Sequence, residues 1–124
     1  MNANELRINN WVGWNGPSHY ENALVSAISK DEIFFKCGDS GLINEIEPIL
    51  LTEKWLLRFG FEKIIGKIDI YEKDRLRIWV GSRGQSLCYL IEEDTTSAHY
   101  IPNSIEYVHQ IQNLYFALFG KELE

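Results

Sequence analysis

The C-terminal segment contains the residues whose types and spacing could form a binding or catalytic site. His109, Gln112, Asn113 and Phe116 are separated by one, three or four positions, so on a helix they share one strip of the surface. An imidazole beside two amides and a ring could hold a small polar ligand or move a proton. Gln112, however, projects inside an apolar arc, where a buried amide needs hydrogen-bond partners. The sequence therefore favours a structural role for Gln112 and leaves a ligand site near His109 as the alternative.

A second group combines basic and aromatic side chains. Arg77 and Trp79 point to the same side of a predicted strand, and Arg83 follows in the next turn. Such a grouping could stack a nucleic-acid base on the indole ring. A solvated strand face is the simpler interpretation. Arg77, Trp79 and Arg83 are kept as candidates for contact with a ligand or partner.

The spacing of the histidines and cysteines does not indicate a metal site or a catalytic nucleophile. The histidines are His19, His99 and His109, and the cysteines are Cys37 and Cys88. No two of these residues have the spacing of a zinc site or a redox motif, so free thiols, no metal and no cofactor are expected. The segment Gly81–Gly84 lacks the Lys-Ser/Thr of a phosphate-binding loop and predicts a hairpin turn. No catalytic residue is assigned.

Composition limits the classes of function. The chain has 124 residues, 45% hydrophobic residues and a net charge of -6, which fit one globular domain. The negative charge argues against general nucleic-acid binding, which needs clustered Lys and Arg. No apolar run approaches the ~20 residues of a membrane helix, and the N-terminus lacks the pattern of a secretion signal. We expect a cytoplasmic protein without a membrane partner.

The longest periodic stretch predicts a helix from Ser104, as N-cap, to Gly120, as the residue that ends it. Its apolar arc is wider than the ~100° stripe that one sheet covers. We expect this helix to pack on an antiparallel meander. The excess apolar surface would contact the N-terminal lobe, a second copy of the chain or a foreign partner.

The rest of the chain predicts an α+β fold, treated as a single domain over residues 1–124. An N-terminal lobe over about residues 1–48 is expected to form an SH3-like half-barrel, and an αββββα-like part covers about residues 49–124. The lobe strands are predicted at Trp11–Trp14, Leu24–Ser29, Ile33–Cys37 and Leu42–Glu47. A short helix is predicted at Glu53–Phe59. The meander strands are predicted at Lys67–Glu72, Leu76–Val80, Ser86–Glu92 and Ala98–Ile101.

Three segments resemble a family of small uncharacterised bacterial proteins that are often found in phages and mobile elements. The most specific is Tyr107–Leu118, with the sequence YVHQIQNLYFAL; Pro48–Phe61 supports it, and Leu6–Val12 is a weaker match. Together they cover about a third of the chain. Phe119 departs from the pattern, which has a smaller or polar residue there. The resemblance implies kinship and a bacterial or phage setting, and it implies no activity.

These observations favour a non-catalytic protein-interaction module that uses aromatic surface to bind a protein partner or itself. One alternative is a small-molecule-binding protein or small enzyme with a site near His109 and Gln112. Another is an acidic decoy that mimics DNA charge for a defence protein, although a net charge of -6 is mild for that role. A deep pocket at His109 would favour the first alternative, and a flat aromatic patch would favour the interaction module.

Overall fold

The N-terminal part of the chain folds into a five-stranded antiparallel sheet. The computed structural model describes residues 3–64, 66, 69–80, 86–91, 98–101 and 104–123. The first sheet has the order β4-β3-β2-β1-β5, so the fifth strand returns to pair with the first. This order fits the predicted SH3-like half-barrel, with one more strand than expected. Its strands are β1 (Trp11–Asn15), β2 (His19–Ile28), β3 (Glu32–Phe35), β4 (Ser40–Leu42) and β5 (Ile46–Glu47).

Trp14 forms the centre of the core beneath this sheet. Its ring lies 5.5 Å from those of both Tyr20 and Phe35, and only 5% of the residue is exposed. Gly41 must lack a side chain here, because a Cβ at this position would lie 2.3 Å from Trp14 Nε1. The other buried members are aliphatic or small: Leu6, Val12, Ala23, Val25, Ile33 and Ile46. A single large indole therefore fixes the spacing of the strands around it.

The second sheet is the predicted meander, with the strand order β10-β9-β8-β7-β6. A two-residue turn joins β7 to β8, and both of its residues, Asp74 and Arg75, have positive φ angles of 51° and 71°. This geometry matches the twist of the flanking strands. Leu76 and Ile78 point inward and Trp79 outward, as predicted. The strands are β6 (Glu62–Lys63), β7 (Ile70–Lys73), β8 (Leu76–Val80), β9 (Ser86–Ile91) and β10 (Ala98–Tyr100).

A short helix, α1 (Glu53–Arg58), precedes the meander and ends as the sequence predicted. Gly60 has a φ of 89°, and the N–H of Phe61 donates to the carbonyl of Leu56 at 3.0 Å. Lys73 of β7 donates to the carbonyl of Phe59 at 2.7 Å, so the helix end is bonded to the sheet. Thr52 occupies the predicted N-cap position, but its side chain makes no capping hydrogen bond.

The C-terminal helix, α2 (Val108–Phe119), begins three residues later than predicted, because its N-cap is Tyr107 rather than Ser104. The reason is backbone pairing: Ile105 forms a bridge with Ser86, in which each N–H donates to the other residue's carbonyl at 2.7 and 3.0 Å. That pairing requires extended backbone and excludes a helical turn there. The predicted end is confirmed, because Gly120 adopts a left-handed φ of 68°.

The chain divides into two compact units. One contains the residues up to Ile49 together with Tyr107–Leu123, and the other contains Leu50–Glu106. Helix α2 therefore belongs with the N-terminal sheet. The sequence pattern had predicted that it packs on the meander, within the part from residue 49 onward. The amides of Gln112 and Asn113 explain this grouping, because they hydrogen-bond to residues 5–11.

The α+β class is confirmed by two antiparallel sheets and two helices. Within the described ranges, no helix is long and apolar enough to cross a membrane. Three predicted features lie outside the described residues: the hairpin turn that contains Arg83, the last residue of the strand predicted to end at Glu92, and the first two residues of the strand predicted from Lys67.

Candidate functional site

Gln112, the polar residue in the apolar arc of α2, is fully buried, and both polar atoms of its side chain are hydrogen-bonded. Its Oε1 accepts a hydrogen bond from the backbone N–H of Trp11 at 2.9 Å, and its Nε2 donates to the carbonyl of Asn9 at 2.9 Å. Asn9 has a positive φ of 77°, so the chain turns sharply where the amide holds it. The predicted burial of Gln112 is confirmed, and its amide has hydrogen-bond partners inside the fold.

Asn113 extends the same hydrogen-bonding system. Its Oδ1 accepts from Nδ2 of Asn10 at 2.9 Å and from Nε of Arg7 at 3.0 Å, and its Nδ2 donates to the carbonyl of Glu5 at 2.8 Å. Asn10 is itself completely buried. We call Asn10, Gln112 and Asn113 the amide cluster. The cluster joins α2 to the N-terminal segment, and its side chains hydrogen-bond to groups of the protein itself.

Phe116 lies at the solvent-exposed end of the predicted strip, and 40% of it is exposed. The guanidinium of Arg7 lies 4.2 Å from the centre of its ring and pairs with the carboxylate of Glu122 at 2.8 Å. A cation over an aromatic face is attracted by the ring's quadrupole. Phe116 therefore already has a cation over its ring, supplied by the same N-terminal segment.

His109 is 2% exposed and lies beside Tyr107, with ring centres 6.0 Å apart and nearly parallel planes. Its Nε2 is 3.9 Å from a carboxylate oxygen of Glu5, while its Nδ1 has no hydrogen-bond partner among the described residues. Burial lowers the pKa of His109, and the carboxylate of Glu5 opposes this only in part. The imidazole is therefore held neutral near pH 7 and is shielded from solvent.

The outer surface of the meander has a different character. Ile70, Trp79 and Leu87 stand directly opposite one another on β7, β8 and β9, so they form one apolar row across three strands. Trp79 is 47% exposed and Leu87 40% exposed. With Tyr89 they line a shallow depression of about 320 Å³. This row is an apolar surface open to solvent.

A polar row runs beside the apolar one. Glu72, Arg77 and Tyr89 also stand opposite one another on the same three strands. Nε of Arg77 lies 2.9 Å from a carboxylate oxygen of Glu72, and this hydrogen bond, with a second one to Tyr89, raises the pKa of Arg77. We call the two rows together the meander outer face: Ile70, Glu72, Arg77, Trp79, Leu87 and Tyr89.

The structure thus brings together two of the three predicted basic-aromatic residues, Arg77 and Trp79, while Arg83 lies outside the described residues. Sequence reasoning missed Ile70, Leu87 and Tyr89 as their neighbours. A signal was present in the alternation of β9, where Leu87 and Tyr89 flank Cys88. Apolar side chains on both faces of a strand predict that its second face is not a purely polar, solvated one.

The two cysteines, both among the described residues, are free thiols. Cys88 is buried, which raises its pKa to about 12, so it remains a protonated core residue at neutral pH. Cys37 is exposed beside a second shallow depression, of about 460 Å³, in the N-terminal unit. That depression is lined by Trp11, Tyr20, Asn22, Ala23, Leu24, Lys36 and Cys37. No cluster of three or more metal-ligating side chains occurs in the part of the chain that the structure describes.

Comparisons with known proteins add no assignment to this geometry: protein-family models, curated proteins and solved structures all gave no match to the chain.

Proposed function

We propose that this protein is a non-catalytic protein-interaction module whose contact surface is the meander outer face. The observation that carries the proposal is the apolar row Ile70–Trp79–Leu87, which lies on an exposed sheet face. A contiguous apolar patch on a water-soluble surface is a liability unless a partner covers it. Trp, Tyr and Arg are also the residue types that contribute most to binding energy at protein interfaces.

The alternative of a ligand site near His109 and Gln112 receives less support. Both polar atoms of the Gln112 amide are bonded to backbone groups of residues 9 and 11. His109 is 2% exposed, so a substrate would have to displace packed groups to reach it. A catalytic base needs hydrogen-bond access to the proton it moves. No specific observation favours the acidic-decoy alternative.

The resemblance to small bacterial and phage proteins, and the cytoplasmic setting expected from the sequence, are part of the same proposal. Free thiols at Cys37 and Cys88 agree with a reducing compartment. In such a setting, a small acidic module without an active site would act by occupying a surface of another chain.

Site-specific photo-crosslinking tests the proposal. A photoreactive phenylalanine analogue is placed at Leu87 in the full chain, and at Phe34 as a matched control on an exposed strand of the other sheet (39% exposed). We expect a macromolecular adduct in extracts of the source cells at position 87 and none at position 34. Labelling at neither position, or equally at both, would contradict the proposal.

A further inference from the structure

We infer that the N-terminal segment, residues 3–10, covers His109 and separates from α2 more readily when this imidazole takes up a proton. Two groups of Glu5 place the segment over the helix. Its carboxylate oxygen lies 3.9 Å from Nε2 of His109, and its main-chain carbonyl accepts a hydrogen bond from Asn113 at 2.8 Å, one helical turn further on. With the segment in this position, His109 is 2% exposed. Water therefore reaches the imidazole when the segment moves away.

The two ring nitrogens of His109 have different surroundings. Nε2 faces the carboxylate of Glu5, whereas Nδ1 is buried and has no hydrogen-bond partner among the described residues. A neutral imidazole carries one N–H and one acceptor nitrogen, and the carboxylate favours the N–H on Nε2. Protonation adds an N–H at Nδ1, which is then a buried donor without an acceptor. The closed segment therefore disfavours the charged imidazole.

The charged groups near the imidazole do not reverse this preference. The segment contributes Glu5 and Arg7. The Glu5 side chain is 56% exposed, so water weakens its attraction for an imidazolium, and Arg7 is paired with Glu122. Helix α2 and strand β1, which contacts it, add no Asp, Glu, Lys or Arg, and the Tyr107 ring lies beside His109. Burial consequently outweighs Glu5 and lowers the pKa of His109.

Acid therefore shifts the equilibrium towards the open segment, in which the imidazole is in water and has its ordinary pKa. With that value at about 6.5, the equilibrium constant for opening rises between about pH 7.5 and pH 5.5, by at most about tenfold. Leu6 is buried in the core of the N-terminal sheet and Arg7 is bonded to Glu122, so the closed form predominates at both pH values. Such rare opening is measured by the exchange of amide hydrogens with solvent.

Native-state hydrogen exchange across this pH range, with rates corrected for the intrinsic effect of pH, tests the inference. The reporters are the amides of Asn9 and Asn10, which donate to the carbonyls of Val25 at 2.8 Å and Arg7 at 3.1 Å. They should exchange faster than the slowest amides of β2 and β3, because the segment opens without unfolding the sheet. In the wild type their opening constant should rise several-fold on acidification, up to about tenfold. In His109→Phe it should stay constant.

Glu5→Gln supplies a second test that does not depend on replacing a buried ring, because the Glu5 side chain is more than half exposed. The carboxylate opposes the lowering of the His109 pKa, so its removal should give a rise at least as large as in the wild type. Four results would overturn the inference: reporters that exchange no faster than the slowest amides, an opening constant that stays level or falls on acidification, an equal rise in His109→Phe, or a smaller rise in Glu5→Gln. The last would show that a Glu5–His109 ion pair closes the segment instead.

Discussion

The amide cluster and the meander outer face differ in which side chains they bury: the cluster buries polar groups, and the meander outer face exposes apolar ones. In the cluster, Gln112 and Asn113 bond to the N-terminal segment, and Gln112 is fully buried. On the meander, the apolar row that includes Trp79 stays exposed beside polar groups that bond to each other. The polar residues within the apolar stripe of α2 join it to the N-terminal segment, whereas we propose that the apolar residues on the solvent face of the meander contact a partner.

The largest expected effect comes from Gln112→Ala. The substitution removes the hydrogen bonds that the Gln112 side chain makes to the N–H of Trp11 and the carbonyl of Asn9, both part-buried, and losing the partner of such a group costs about 1–3 kcal/mol. We expect the free energy of unfolding in urea to fall by about 3 kcal/mol. Lys121→Ala, at an exposed position just after α2, serves as the control and should change it by less than about 0.5 kcal/mol.

A smaller effect is expected from the pair Asn10 and Asn113, whose side chains are bonded at 2.9 Å. Asn10→Ala and Asn113→Ala should each lower the free energy of unfolding. The double variant should lower it by less than the sum of the two, because either single change already removes the hydrogen bond between them. A double-mutant cycle should give a coupling energy of about 1 kcal/mol. Strict additivity would show that the two amides do not act as one cluster.

The pH dependence of stability tests the burial of His109. Because its pKa is lowered in the folded chain, the unfolded chain binds the proton more readily, and stability is lost as pH falls below the ordinary histidine value of about 6.5. We expect the melting temperature of the wild type to drop between about pH 7.5 and pH 5.5, and His109→Phe to drop less. His19→Gln, at an exposed position, should follow the wild type. Equal slopes for all three would contradict the burial of a neutral imidazole.

The sequence predicted the α+β class, the meander with Trp79 outward, the end of α1 at Gly60 and the burial of Gln112. Each of these depends on local pattern: alternation, a glycine after a helix, or a polar residue inside an apolar arc. The start of α2 depended on a distant partner, because the bridge between Ser86 and Ile105 keeps that segment extended. Local capping signals carry no information about such pairing.

The candidate sites divide in the same way. The strip His109–Phe116 was found by helical spacing, but its partners Arg7 and Asn10 lie about a hundred residues away in the chain. Only Trp79 of the apolar row was predicted from the sequence. Ile70 and Leu87 could be placed beside it only from the register of the strands. Register depends on how strands pair, and a single strand's alternation reveals only which side chains share a face.

The most direct test of the contrast between the two regions is a single urea titration of Trp79→Lys beside Gln112→Ala at low protein concentration. Trp79 is 47% exposed and pairs across the strands with Ile70 and Leu87, so its replacement should lower the free energy of unfolding by about 1 kcal/mol, while Gln112→Ala should lower it by about 3 kcal/mol. A stable Gln112→Ala together with a strongly destabilised Trp79→Lys would contradict the account, because the amide would then be dispensable and the indole a part of the core.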